Sequence, residues 1–267
     1  MTIAGSDSCG GAGIQADIKT FSALGVYATS VITAITAQNT MGVVSIAPVA
    51  PEMVQAQAKA VLSDIKIDAI KIGMLHSPEI INTVKQLIQK YQPQHIVLDP
   101  VMIATSGDPL IKPECSALII KELFPLASII TPNTNEATYL TSIEINSIED
   151  MKQAGERLLK LGAKAVLIKG GHLLGDNVTD ILFQNNQEPI MLTSTKIETK
   201  NTHGTGCTLS SAIAAHLSKG YNLEDAVSKS KTYISQAILH GKDAQIGQGH
   251  GSVNHLFQPI ALKKITI

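Results

Sequence analysis

Tryptophan is absent from this chain of 267 residues, and aromatic side chains make up only 3% of it. Proteins that grip single strands need aromatic platforms in a basic groove. Here 21 Lys and Arg stand against 22 Asp and Glu, with no basic stripe. A nucleic-acid partner is therefore not expected. Cysteine is scarce too. Cys9, Cys115 and Cys207 are odd in number, far apart, and form no CxxC pair. That pattern speaks against a disulfide framework and for free thiols in a reducing cytoplasm. No apolar run approaches the ~20 residues of a membrane span, so no membrane contact is expected. Met1 leads directly into a strand-like segment, without the basic stretch and apolar core of a secretory signal. No linker, low-complexity tract or solenoid repeat divides the chain. The expectation is one domain, residues 1–267, whose 44% hydrophobic content can bury a large core.

What is present is an alternation of strand-like and helix-like segments. Ile14, Ile18, Phe21 and Leu24 recur at helical spacing before Gly25, a stop signal. Tyr27 to Ala37 reads as a β-branched strand, and Ala69 to Ile72 as a short one. Ser77-Pro78 opens a helix whose Ile80, Ile81, Val84, Leu87 and Ile88 share a face. His95 to Leu98, Ser128 to Thr131 and Ala165 to Ile168 are further apolar strands. Ser147 and Asp150 form a capping pattern before a helix that Gly162 ends. Val178 to Phe183 and Pro189 to Leu192 flank Asn185-Asn186 as an antiparallel hairpin. Thr208 to Leu217 is a helix of small residues, and Asn222 caps a last long one. Short apolar strands between amphipathic helices predict an α/β fold with a mostly parallel sheet covered on both faces. Ligands of such sheets bind beyond the carboxyl ends of the strands. The polar clusters there are Gly5 to Asp7, Lys71 to Met74, Asp99-Pro100, Thr131 to Asn135 and Lys169 to His172.

Two glycine-rich loops lead into helices. The first, Gly5 to Gly13, contains Gly11-x-Gly13-x-x-Ala16, which superficially fits a dinucleotide fingerprint. That fingerprint wants an acidic residue about 20 positions on, and none stands between Asp17 and Glu52. No Gly-Lys-Ser/Thr follows to make a P-loop. The second loop, Asn201 to Thr208, is more informative. Gly204 and Gly206 let backbone N–H groups converge, and the following helix adds its unpaired amides and positive dipole end. That is an anion hole suited to phosphate in a transferring state.

Cys207 stands at the start of this helix, where the dipole favours some thiolate near neutral pH. Two readings stay open: a base that takes a hydroxyl proton in phosphoryl transfer, or a small buried helix residue. Lys169 is either a phosphate-binding lysine or a solvated strand end. Asn133 and Glu136, three apart at a helix start, can hold magnesium between them or simply cap the helix. His172, His203, His250 and His255 have no metal-ligand spacing and read as loop residues, so zinc is not expected.

In order along the chain, Thr2 to Asp7, Gly10 to Asp17, Thr36 to Thr40, Lys71 to Met74, Leu98 to Met102, Ser106 to Pro109, Thr131 to Asn133, Lys169 to His172 and Asn201 to Thr208 closely resemble the hydroxymethylpyrimidine/phosphomethylpyrimidine kinases of thiamine biosynthesis. The match continues to about His255. It implies a ribokinase-like fold: a three-layer αβα sandwich around a mostly parallel sheet, with a small β flap near the pocket. It implies ATP and Mg²⁺, and two phosphorylations at one site, of 4-amino-5-hydroxymethyl-2-methylpyrimidine and then of its monophosphate. Where the wider superfamily carries an Asp base, this chain carries Cys207, so the resemblance gives it the base role beside Gly204, Thr205 and Gly206. Gly5, Ala12, Asp17, Gln38, Met74 and Val101 would form the pyrimidine pocket. Asp99, Asn133, Lys169 and Thr202 would serve ATP, and Glu136 the metal. A cytoplasmic homodimer follows by the same analogy.

Thr105 departs from the pattern, because many relatives carry Lys just before Ser-Gly-Asp, a residue suited to the phosphate of the second step. A pyridoxal kinase is the alternative within the subfamily, since both substrates are flat heteroaromatic rings with a CH₂OH. A non-catalytic binding protein on this fold would tend to lose the anion loop or Glu136. A nicotinamide-dependent dehydrogenase would rest on the first glycine loop alone.

Overall fold

Along the chain the elements run β1 (Thr2–Asp7), α1 (Gly13–Ala23), β2 (Ser30–Asn39), β3 (Gly42–Pro48), α2 (Pro51–Leu62), β4 (Ala69–Ile72), α3 (Pro78–Tyr91), β5 (His95–Leu98), α4 (Pro113–Glu122) and β6 (Ile129–Ile130). They continue with α5 (Thr134–Thr141), α6 (Ile148–Lys160), β7 (Ala165–Ile168), β8 (Asn177–Gln184), β9 (Ile190–Thr195), α7 (Thr205–Ser218) and α8 (Leu223–Gly241). The computed structural model describes residues 1–102, 113–171, 173 and 175–263. Its strands form one sheet in the order β3-β2-β1-β4-β5-β6-β7-β8-β9. The six strands from β2 to β7 in that order pair in parallel, while β3, β8 and β9 add antiparallel edges.

The alternation of strand side chains explains the layers. Ile70, Ile72, Ile96, Leu98, Ile130, Val166 and Ile168 point to one face, where buried residues of α2 to α6 pack on them. Ala69, Val97, Ile129, Ala165 and Leu167 point to the other, against α1, α7 and α8. The sheet is buried on both sides, as parallel sheets require. In α3, Ser77 accepts from the Ile80 amide as N-cap, Pro78 opens the first turn, and Ile80, Ile81, Val84, Leu87 and Ile88 are buried. Each such side chain contributes about 1.5–3 kcal/mol by leaving water. Asn222 caps α8 by accepting from the Asp225 amide. Gly25 and Gly162 both carry positive φ just past helix ends, as stop signals do.

Three elements exceed the expectation from sequence. β3 was not anticipated, because Val44, Ser45, Ala47 and Pro48 are exposed and leave little periodic signal. It extends β2 antiparallel and forms the flap-like edge beside Gln38. α2 buries only Val54 and Ala58, so its apolar stripe is thin. α4 was likewise not anticipated. The helix expected over Thr208 to Leu217 starts three residues earlier, at Thr205.

Candidate active site

All six parallel strands end at one cavity of ≈ 600 Å³. Gly5 and Asp7 come from β1, Gln38 from β2, Met74 and Val101 from beyond β4 and β5, Asn133 from beyond β6, and Lys169 from beyond β7. Ala12, Asp99, Glu136, Thr202, Gly204, Thr205, Gly206 and Cys207 line the same space. Every site residue named from sequence reaches the cavity except Asp17.

Asp17 is a correction. It is fully buried on α1, behind the wall. Both its oxygens take the Lys71 ammonium, at 2.9 and 3.0 Å. Thr2 Oγ1 and Ser211 Oγ each donate to it at 2.6 Å. With its lone pairs so occupied, the carboxylate has no edge left for a ring. The cavity residue here is Lys71, which the sequence places in a strand-end cluster without assigning it a role. Burial works against the Lys71 charge, but Asp17 foremost, then Cys207 and Asp99, hold it above the usual lysine range.

The second glycine loop is built by close approach. Gly204 has φ +81°, and a Cβ there would run into the Gly11 carbonyl oxygen, so only glycine fits. A Cβ on Gly206 would lie 3.1 Å from Lys169 Nζ. The first turn of a helix leaves its amides without intrahelical acceptors. The Thr205 amide nevertheless donates to Thr202 O at 3.2 Å, which leaves the Gly206 and Cys207 amides as the candidate anion donors of this turn. Cys207 is half-buried on the cavity wall. Its thiol also departs from expectation. Burial pushes it up to about 11, against Lys71 and the Gly13 amide, which favour the thiolate. Desolvation is the largest influence on this thiol.

Asp99 and Lys169 form a second buried pair at 2.9 Å. Thr131 Oγ1 donates to the same Asp99 oxygen, also at 2.9 Å. Burial raises the Asp99 carboxyl, and Lys169 and Lys71 overcome this to leave it below the usual value. Lys169 is thus a fixed cation rather than a solvated strand end. Asn133 and Glu136 make a reciprocal capping box: each side chain accepts the other's amide at 2.8 Å. Burial pushes the Glu136 carboxyl up to about 7, with Asp99 adding to the rise and Lys169 opposing it. A buried carboxylate held this reluctantly is suited to a cation, so the donor set fits a divalent metal.

The other end of the cavity is walled by Gly5, Ala12, Met74 and Val101. A Cβ on Gly5 would sit 3.3 Å from Met74 Sδ, and Met74 packs with Ala34, Val43, Ile46 and Val101. Beside it lies a pair the sequence did not suggest. Asp7 Oδ2 faces His203 Nε2 at 2.9 Å, and Gln38 Nε2 lies 3.4 Å from the same nitrogen. Asp7 also accepts from the amides of Cys9, Gly11 and Ala12. Three of the first loop's donors are thereby spent on its own carboxylate, and Gly11 is needed because a Cβ would meet the His203 ring. Neither feature leaves room for a dinucleotide pyrophosphate. His203 is a buried partner of Asp7, not a plain loop residue. Its order in sequence, 196 positions from Asp7, gave no signal. Asp7, Cys9 and His203 bring three potential ligand atoms within 4.8 Å of one another, but Asp7 is already satisfied by the loop. Thr105, Ser106 to Pro109 and His172 lie outside the described residues.

The phosphomethylpyrimidine kinase family model matches residues 7–254. A hydroxymethylpyrimidine/phosphomethylpyrimidine kinase of Rhizobium meliloti is 51% identical over 96% of each chain. The crystal structure of a phosphomethylpyrimidine kinase from Clostridium difficile, also 51% identical, covers 89% of this chain and 97% of its own with TM-score 0.78. An ADP complex of Bacillus subtilis pyridoxal kinase is 36% identical, covers 95% and 96%, and superposes with TM-score 0.87. The fold is shared across these vitamin kinases, while the sequence sides with the pyrimidine enzymes, so the chain belongs to the phosphomethylpyrimidine kinase family.

Proposed function

We propose that this chain, acting as a single kinase domain, transfers the γ-phosphoryl group of ATP to the hydroxymethyl oxygen of 4-amino-5-hydroxymethyl-2-methylpyrimidine. It then phosphorylates the monophosphate to the diphosphate. The observation that carries the reading is one cavity holding two complementary ends: an anion loop with a thiol beside it, and a small-residue face with a single amide, Gln38. Gln38 can donate and accept on an aminopyrimidine edge, while Gly5, Ala12, Met74 and Val101 pack the ring. Cys207 takes the hydroxyl proton as the new O–P bond forms and the bond to ADP breaks. The Gly206 and Cys207 amides donate to the charged oxygens of the phosphoryl group. Lys169, steadied by Asp99, supplies positive charge, with Asn133 and Thr202 at the edge of the ATP site. Glu136 would hold Mg²⁺, which when bound neutralises charge between the phosphates.

We also propose a cytoplasmic homodimer. Ile35, Met41 and Val44 on and between β2 and β3 are exposed apolar side chains of the kind a second copy would cover. The function is tested by incubating the protein with ATP, magnesium and the pyrimidine, and separating the products. Monophosphate followed by diphosphate supports it, and ADP release without either product refutes it. Monophosphate alone assigns the first step and removes the second.

A further inference from the structure

We propose that Lys71 is a positioning residue for phosphoryl transfer, its ammonium stabilising the Cys207 thiolate from within the cavity wall while Asp17 holds it in place. The inference rests on the reading of Cys207 as base. Lys71 lies between Ile70 and Ile72 in a strand whose four residues are all buried. Its own side chain is 0% exposed, yet it touches the cavity that Cys207 also lines. A Cβ on Gly73 would come within 2.9 Å of its Nζ, so glycine there leaves the ammonium its room.

The helix places the pair and the thiol together. Ser211 follows Cys207 by one turn on α7, and residues four apart share a helix face. Ser211 Oγ donates to Asp17, and Asp17 holds Lys71. The ammonium is thus tied to the face of α7 from which Cys207 projects. Stability does not explain such a pair. A buried ion pair is commonly no more stabilising than apolar side chains of equal volume, and the strand around it is otherwise apolar.

The charges facing Cys207 come from four elements: Lys71 on β4, Asp17 on α1, Asp99 after β5 and Lys169 after β7, with the Gly13 amide beside them. Both carboxylates oppose the thiolate, and burial opposes it more. Lys169 is engaged by Asp99 and Glu136. Lys71 is the foremost group on the favourable side. In the reaction the substrate proton moves to the sulfur, and the ammonium keeps its own protons throughout.

The test follows the pH dependence of Cys207 alkylation by iodoacetamide in the full chain, read by mass spectrometry of the Cys207 peptide so that Cys9 and Cys115 do not contribute. Lys71→Met should move the midpoint up by about one pH unit or more, a tenfold loss of thiolate at a given pH below it. Lys71→Gln, which loses the charge but can still donate to Asp17, should move it up likewise. The kcat–pH profiles should shift in the same direction. A midpoint that stays or falls in Lys71→Met overturns the proposal. If Lys71→Met fails to fold, a midpoint that stays or falls in Lys71→Gln overturns it alone. Wild-type turnover in Cys207→Ala would instead remove the base reading, and the alkylation shifts would still report on Lys71.

Discussion

The two ends of the cavity are built by different physics. At the phosphate end, charged groups are buried and paired before any ligand arrives: Asp99 with Lys169, and Asp17 with Lys71. At the ring end the Asp7–His203 pair is bound up with the first loop's amides, and Gly5, Ala12, Met74, Val101 and the Gln38 amide supply the shape. Preorganised charge lowers a barrier because it costs no reorganisation during the reaction. Shape and one amide discriminate rings by a few contacts. Substitutions at the first end should therefore act on kcat, and those at the second on KM. The likeness to a pyridoxal kinase with TM-score 0.87 at 36% identity fits that division, since the scaffold is common and the rings differ.

The largest expected break in the comparison is Cys207→Ala. Loss of a general base should lower kcat by about 10²–10⁴, while pyrimidine binding measured by calorimetry stays within a few-fold of wild type. Lys169→Met comes next. It should lower kcat and also destabilise the fold by roughly 3–5 kcal/mol, because Asp99 is left buried without its cation; denaturant unfolding reads the second effect. Gln38→Leu should act at the other end, raising KM for the pyrimidine about 10–100-fold with kcat little changed, as expected for losing 1–3 kcal/mol of recognition.

The smallest effect is a pH dependence. Glu136 titrates at about 7 in the fold against 4.5 for an ordinary Glu. The folded state thus holds its proton longer than the unfolded state, and stability falls as pH rises between these values. His216 and His255, pulled down to about 4 by burial, act in the opposite sense over the same range. The informative quantity is therefore a difference. Without nucleotide or metal, Glu136→Gln should gain melting temperature on wild type as pH rises from 5 to 8, by roughly 2–4 °C per kcal/mol recovered. A constant offset across that range would mean that Glu136 does not titrate as described.

Much of the fold was legible because parallel strands buried on both faces leave short, apolar, sharply bounded runs. Ala69–Ile72, His95–Leu98 and Ala165–Ile168 were all read to the residue. The polar clusters at their ends line one cavity, since topology alone sends them to one edge of the sheet. What escaped was set by partners distant in sequence. The family resemblance makes Asp17 a ring contact, but α7 and β4 supply Ser211 and Lys71 to occupy it. Cys207 reads as an acidified thiol from its helix position, whereas burial raises it. The signal left without a role is Lys71, a lysine inside an otherwise apolar strand. β3 was missed for the opposite reason: an exposed edge strand keeps no alternation to read.

The most direct trial of the account sets the pyrimidine and pyridoxal side by side as acceptors, with ATP and magnesium, and compares their kcat/KM from ADP release. The account predicts a clear preference for 4-amino-5-hydroxymethyl-2-methylpyrimidine; an equal or higher value for pyridoxal would contradict it.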